Sequence, residues 1–388
     1  MTNKLLKTKL LLITDIHKIN IKKIIKLDLM KKIVFGLLAV LSISAKAQND
    51  SLKKPLTISG YAEVYYQADF NNPKNNTRPS FVYSHNRNNE VNVNLAFIKA
   101  GYSTDQIRAN VAIAAGTYMN ANYAAEQGVM KNIYEANAGF KISKKHDLWI
   151  DAGIFPSHLG FESAIGKDNW TLTRSLFADN SPYFETGAKI SYNSPSGKWF
   201  LSGLVLNGWQ RIQRVDGNST PAFGHQLTFK PNEKLTLNSG SFIGNDKPDS
   251  IRQMRYFHNL YGIYQISKKI GITAGFDLGA EQKAKGSEQY NIWYTPVLIA
   301  KYSPTEKFSI TARGEYYQDE NGVIISTGSE NGFKTFGYSL NADYQILPNL
   351  VWRTEIRNLN SKDAIFMKRN EDISNNSLTA VTAIAVSF

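Results

Sequence analysis

From residue 56 onward, apolar and polar residues alternate along the chain. In FGYSLNADYQI (336–346), Phe336, Tyr338, Leu340, Ala342, Tyr344 and Ile346 are separated by Gly337, Ser339, Asn341, Asp343 and Gln345. Successive side chains on a β-strand point to opposite faces, so this segment has one apolar face and one polar face. The same period predicts sixteen strands: 56–70, 90–103, 106–118, 132–143, 147–155, 183–193, 198–209, 223–231, 233–244, 253–266, 269–281, 289–303, 306–318, 333–346, 349–360 and 377–388. Most run 9–15 residues. Strands of globular domains average about 5–6 residues, whereas a tilted membrane strand needs about 9–11.

The connections alternate as well. After even-numbered strands they are short turns such as STDQ, SKKH, NSPSG and SPTE. After odd-numbered strands they are longer: 71–89, 119–131, 156–182, 210–222, 245–252, 282–288, 319–332 and 361–376. Short turns on one rim and long loops on the other are the layout of a transmembrane barrel. An even strand count puts both termini on the short-turn, periplasmic rim. The expected fold is therefore all-β: a single antiparallel up-and-down transmembrane barrel of about 16 strands, with long extracellular loops.

The polar stripes carry charge. In 349–360, Val351, Arg353, Glu355 and Arg357 alternate with Leu350, Trp352, Thr354 and Ile356. In 306–318, Arg313 and Glu315 share a face opposite Ile310 and Ala312, and in 56–70 Glu63 shares one with Tyr61 and Tyr65. A soluble sheet of this size would need a large protein core, and no helical pattern is available to cover one. Closure also removes the sheet edges that hydrocarbon cannot tolerate. Tyr102, Trp149, Tyr192, Trp199, Tyr302, Phe308, Tyr344 and Trp352 fall near the short-turn ends, where an interfacial belt would sit.

Composition sharpens this picture. Hydrophobic content is 42% of 388 residues, and no apolar run after the leader is long enough for a helical span. Mean hydropathy is −0.32. Polar lumen stripes lower such averages in a barrel. Residues 1–47 hold ten Lys/Arg against Asp15 and Asp28, a surplus of 8, so the rest carries only +5 of the formal +13. The basic pI thus gives no ground for nucleic-acid binding. With no cysteine, disulfides, thiolate catalysis and lipidation of an N-terminal Cys are excluded. MKKIVFGLLAVLSISAKAQ (30–48) has the charged, apolar and small-residue regions of a secretory signal, with cleavage expected near Ala47-Gln48. The expected organisation is an over-extended start (1–29), a signal peptide (30–47), a short periplasmic segment (48–55) and the barrel (56–388).

The segments ISGYAEVYYQADFNNP (58–73), LWIDAGIFPSHLGFES (148–163) and NWTLTRSLFADNSPYFETGAKISY (169–192) resemble the OmpL-like β-barrel porin family. The resemblance implies an outer-membrane barrel with a water-filled pore, and brings no catalytic or ligand residues. The terminal SLTAVTAIAVSF, ending in Phe388, looks like the signal that such barrels present to their assembly machinery. A phosphate-selective porin would carry a ladder of inward Arg/Lys. Here Lys189, Lys230, Arg313, Arg353 and Arg357 are matched by Glu63, Glu185, Asp277, Glu315, Asp343 and Glu355.

The candidate pore-lining residues are Glu63, Lys189, Arg313, Glu315, Asp343, Arg353, Glu355 and Arg357. The longest connection, 156–182, is the third long loop. Folded inward, it would set Glu162, Lys167, Asp168, Arg174 and Asp179 against the charged wall across an aqueous gap, and charges of both signs in a constriction govern which solutes pass. Catalytic and nucleotide-binding motifs are absent from the sequence. His85, His146 and His158 read as solvated residues, and no histidine is expected beside a nucleophile. NDKPDS (245–250) reads as a polar turn. No cofactor or metal is expected.

The reading is an outer-membrane porin for passive diffusion of small hydrophilic solutes, not an enzyme. Its partners are membrane lipid and the barrel assembly machinery, with a homotrimer left open. The alternatives are a channel specific for an anion, sugar or peptide, and more distantly a barrel enzyme or a secreted soluble β-protein.

Overall fold

The computed structural model describes residues 55–388. The expected early start, signal peptide and cleavage site lie outside the described residues. Sixteen strands close into one antiparallel barrel. They are β1 Leu56–Asp69, β2 Val91–Ser103, β3 Ile107–Ala115, β4 Ile133–Lys141, β5 Asp147–Pro156, β6 Phe184–Asn193, β7 Trp199–Leu206, β8 Ala222–Asn232, β9 Leu235–Gly244, β10 Arg255–Gln265, β11 Ile270–Gln282, β12 Tyr290–Tyr302, β13 Phe308–Asp319, β14 Phe333–Leu347, β15 Leu350–Ser361 and β16 Asn376–Ser387. Each strand pairs with its sequence neighbours, and β1 pairs with β16 to complete the circle. The strand ends match the expectation to within three residues. β3 stops early because Gly116 turns the chain at φ 133, where a Cβ would lie 2.3 Å from the Asn94 carbonyl oxygen. Helix α1 (Thr117–Asn122) follows, and a second short helix, α2 (Leu176–Asp179), lies in the third long loop. Among the described residues, no helix is long and apolar enough to cross a membrane.

The apolar stripe faces outward on every side of the barrel. Leu340 and Ile356 are more than half exposed, while Arg353, Glu355 and Arg357 on the opposite parity are buried inside. Tyr102, Trp199, Tyr302, Tyr344 and Trp352 are exposed on the outer wall near the short turns. Trp149 corrects the expected belt. It shares parity with Asp151 and is buried inside, its indole N–H donating to Asp147 at 2.7 Å and the Arg108 guanidinium lying 4.3 Å over its ring. At the closing pair, the Gly60 N–H donates to the Phe388 carbonyl (2.8 Å) and the Phe388 N–H to that of Gly60 (3.0 Å). The Phe388 ring covers Gly60 so closely that a Cβ there would meet it at 2.3 Å.

Candidate functional site: the third long loop and the lumen

The connection between β5 and β6, residues 157–183, folds into the barrel. Backbone laid inside a barrel must find partners for its N–H and C=O groups, and the charged stripe supplies them. The N–H groups of Leu172, Thr173 and Leu176 donate to Asn341 Oδ1 (3.0 Å), Glu355 Oε2 (2.6 Å) and Glu315 Oε2 (2.5 Å). Arg353 donates to the carbonyls of Gly166 (2.6 Å) and Asn169 (2.9 Å), and Arg313 to that of Thr173 (2.7 Å). The same groups pair laterally. Arg313 bonds Glu355 at 2.9 Å, Arg357 bonds Glu315 at 2.7 Å, and Arg353 takes Asp343 at 2.8 and 2.9 Å. β13, β14 and β15 thus present an ionic lattice that reads the loop backbone.

On the other side, the loop meets strands with little side chain. A Cβ at Gly271 would lie 2.6 Å from the Trp170 ring, one at Gly275 2.9 Å from Phe161, and one at Gly224 2.7 Å from His158 Nε2. Phe161 packs against Phe177 and Tyr261, with ring centroids 5.2 and 5.6 Å apart. The loop therefore turns its aromatic side chains toward glycines of β8–β11 and its backbone toward charges of β13–β15.

Of the eight expected wall residues, all point inward. Six of them, Glu63, Arg313, Glu315, Arg353, Glu355 and Arg357, are buried. Glu63 is held by Tyr61, His85 and Asn94, with the loop's Gly166 pressed against it. Lys189, half-buried, lies 4.8 Å over the Phe155 ring with Asp151 opposite in register. Asp343 is also half-buried. The expected aqueous gap does not separate loop from wall along β13–β15, because the hydrogen bonds there are direct. Glu162 and Arg174 instead brace the loop itself. Glu162 accepts from the Ser175 N–H and hydroxyl, and Arg174 donates to the carbonyls of Ser163, Leu172 and Ala164 at 2.8–3.0 Å. Burial pushes the Glu162 carboxyl above the usual carboxylate range, and pushes Asp179 up to about 7. Lys167 and Asp168 pair at 3.3 Å and stay open to solvent.

Cavities lie on both sides of the loop. On the short-turn side, about 560 Å³ is lined by Lys167, Lys268, Lys269, Lys301 and Lys307 with Glu306 and Asp343. On the long-loop side, about 550 Å³ is bounded by Arg78, Asn122, Asp179, Trp209, Arg211 and Arg255. Sequence reasoning picked out only Asp179 and Asp343, and from the loop Lys167; most of the others sit in turns and loops where alternation gives no facing, while Lys301 of β12 and Arg255 of β10 are at strand ends, away from the mid-strand charges it favoured.

Two histidines expected in solvent are buried. The His85 ring bonds Glu63, and His158 Nε2 meets the Ser241 carbonyl at 2.8 Å, with burial pushing its pKa down to about 4. A third departure is on the outer wall, where His225 Nδ1 lies 2.5 Å from Ser241 Oγ, so one histidine does sit beside a hydroxyl. Its Nε2 faces Ser239 Oγ at 3.3 Å rather than a carboxylate. Among the described residues no cluster of His, Asp and Glu could hold a metal ion.

A closed sixteen-strand barrel with an inward third loop, an apolar outer face and a charged lumen defines a channel-forming porin of the outer membrane. The chain belongs to the family described as "Putative beta-barrel porin-2, OmpL-like", whose profile matches residues 55–388. No curated protein matches it in sequence. Among solved structures it is similar in fold to OmpT of Vibrio cholerae (10% identity, TM-score 0.58, covering 87% of this chain and 100% of that one). It is also similar to the anion-selective porin of Comamonas acidovorans (9%, 0.56, 86% and 99%). A third likeness is to the outer membrane channel DcaP of Acinetobacter baumannii (11%, 0.55, 86% and 97%).

Proposed function

We propose that this porin passes small hydrophilic solutes by diffusion along a path that the 157–183 loop narrows. The carrying observation is that the loop is bonded to β13–β15 through its backbone while its aromatic side chains seat on β8–β11 glycines. Glu63, Arg313, Glu315, Arg353, Glu355 and Arg357 set the constriction by fixing the loop; Lys189 and Asp343 meet the solute path. Glu162 and Arg174 keep the loop in shape, and Lys167, Asp168 and Asp179 face its two entrances. The lysine-rich inner cavity supports a weak anion preference. Deleting 163–177 will raise single-channel conductance in planar bilayers, and an unchanged conductance overturns the constriction.

The chain follows the usual route of such barrels: secretion with cleavage near Ala47-Gln48, then insertion into lipid by assembly machinery that reads the terminal Phe388. A homotrimer is supported by the trimer form of the Vibrio cholerae OmpT. The protein acts without catalysis.

A further inference from the structure

The cavity on the short-turn side of the loop gathers positive charge without partners. Ile270 and Ile310 are exposed on the outer wall, so Lys269 and Lys307 fall on the inward parity with Gly271 of β11 and Ser309 of β13. Lys301 of β12, the strand between them, stands opposite Gly271 in register. The turns are tied to their neighbours, the Ser303 N–H donating to the Lys269 carbonyl and the Gln345 N–H to that of Lys307, both at 2.7 Å. Neighbouring strands lie about 5 Å apart. Lysines on three successive strands thus reach one space of about 560 Å³, which Lys268 and the loop's Lys167 also line.

Lys268, Lys269 and Lys307 are exposed, and Lys301 is half-buried. Among the described residues, none of these four has a carboxylate oxygen within 4.0 Å. Of the two carboxylates lining the space, Asp343 is taken by Arg353 at 2.8 and 2.9 Å, which leaves Glu306. Four open ammonium groups against one open carboxylate leave a surplus of three. The cavity on the long-loop side differs. There Arg78 lies 3.5 Å from Asp69, and Arg255 pairs with Glu281 at 2.7 Å and Asp246 at 3.2 Å. The β2–β5 wall is also paired, Lys99 with Glu135 at 2.8 Å and Arg108 with Asp151.

Like charges crowded in one cleft repel, and an anion relieves them in proportion to its own charge. Chloride or acetate compensates one ammonium. An oxyanion of two or more charges accepts from several at once, and a lysine ammonium offers three donors to phosphate or carboxylate oxygens. Ser303 and Thr305 add hydroxyls on the same rim. The volume falls within the range of small-molecule sites, about 300–1,000 Å³. Lys167 and Asn169 belong to the loop, so an anion bound here lies against the constriction.

We propose that this cavity is a binding site for a small oxyanion of two or more negative charges, phosphorylated or polycarboxylic, held on Lys269, Lys301 and Lys307 against the short-turn face of the loop. The proposal deepens the weak anion preference of the channel reading, and rests on that reading only where current is measured.

Calorimetric titration of the purified protein in detergent with pyrophosphate and with citrate tests the site without requiring conduction. Saturable binding is expected, at least about tenfold tighter than that of acetate, and weaker as sodium chloride rises from about 50 to 500 mM. Pyrophosphate binding alone assigns the site to phosphorylated solutes, and citrate binding alone to polycarboxylates. The Lys269→Gln/Lys307→Gln double variant should weaken binding at least about tenfold with the far-UV spectrum unchanged, while Arg211→Gln on the long-loop side should leave it as it was. Neither anion binding, acetate binding as tightly, or indifference to the double variant overturns the proposal. In single channels in planar bilayers, the bound anion should block current at a lower concentration from one side than from the other, and the double variant should remove the difference; equal block from both sides overturns the one-sided placement. Potassium chloride conductance distinguishes the two readings. Binding without conductance would overturn the channel alone, and conductance without binding would overturn only this site.

Discussion

The two walls that hold the third loop solve the same problem with opposite chemistry. β13–β15 carry Arg313, Glu315, Arg353 and Glu355, which reach the loop's amides and carbonyls at 2.5–2.9 Å, and Arg357, which holds Glu315. β8–β11 carry Gly224, Gly271 and Gly275, which reach nothing and thereby admit the His158, Trp170 and Phe161 rings. The ionic side is strong only as a complete set, because losing one partner strands a buried charge. The glycine side is shape alone, and fails by overfilling rather than by subtraction. A loop clamped in this way keeps one position without a disulfide, which the cysteine-free chain could not form.

Substitutions can break the comparison at either wall. The largest effect is expected at the lattice. Glu355→Gln leaves Arg313 undercompensated and should cost about 3–5 kcal/mol in urea unfolding, with larger conductance fluctuations as the Thr173 amide loses its acceptor. Next comes a control on the outer face, where Leu340→Arg should cost about 2–4 kcal/mol near the midplane and leave open-channel conductance unchanged; altered conductance would mean that the two faces are not independent. On the glycine wall, Gly271→Leu should cost about 1–3 kcal/mol by overpacking against Trp170. Adding Trp170→Ala should recover most of that loss, a rescue that has no counterpart for Glu355→Gln. The smallest effect is a pH dependence. Asp179 titrates near 7 in the fold against a usual 3.8, chiefly through burial, so the folded state holds its proton more tightly than the unfolded chain. Stability should therefore fall as pH rises from about 4 through 7, and Asp179→Asn should flatten that slope in the same unfolding assay.

The two walls were not equally legible in the sequence. Arg353, Glu355 and Arg357 at alternate positions announce an inward charged stripe, since strand period fixes facing once one neighbour is known to be apolar. What those charges do was not legible. Alternation puts them in the lumen but cannot say that Thr173 and Leu176 lie on them, so a gap was expected where direct bonds exist. The glycine wall left no signal, because a residue without a side chain is silent in a hydrophobic pattern. Trp149 was misplaced for a related reason. Its nearness to a strand end suggested the lipid interface, while its parity with Asp151 set it inside. His85 and His158 lie in loops, where no period exists, so their burial follows only from the path of the chain.

The pairing of β1 with β16 carries a consequence for biogenesis. Among the described residues, every other barrel-strand contact joins neighbours in the sequence, but this one joins the first and last strands of the barrel. Until β16 pairs with β1, the sheet has two raw margins whose N–H and C=O groups hydrocarbon would leave unsatisfied, at several kcal/mol apiece. The pairing that closes the ring is therefore the one that makes the membrane tolerable to the molecule, and a chain whose β16 could not reach β1 would have no stable place in the bilayer.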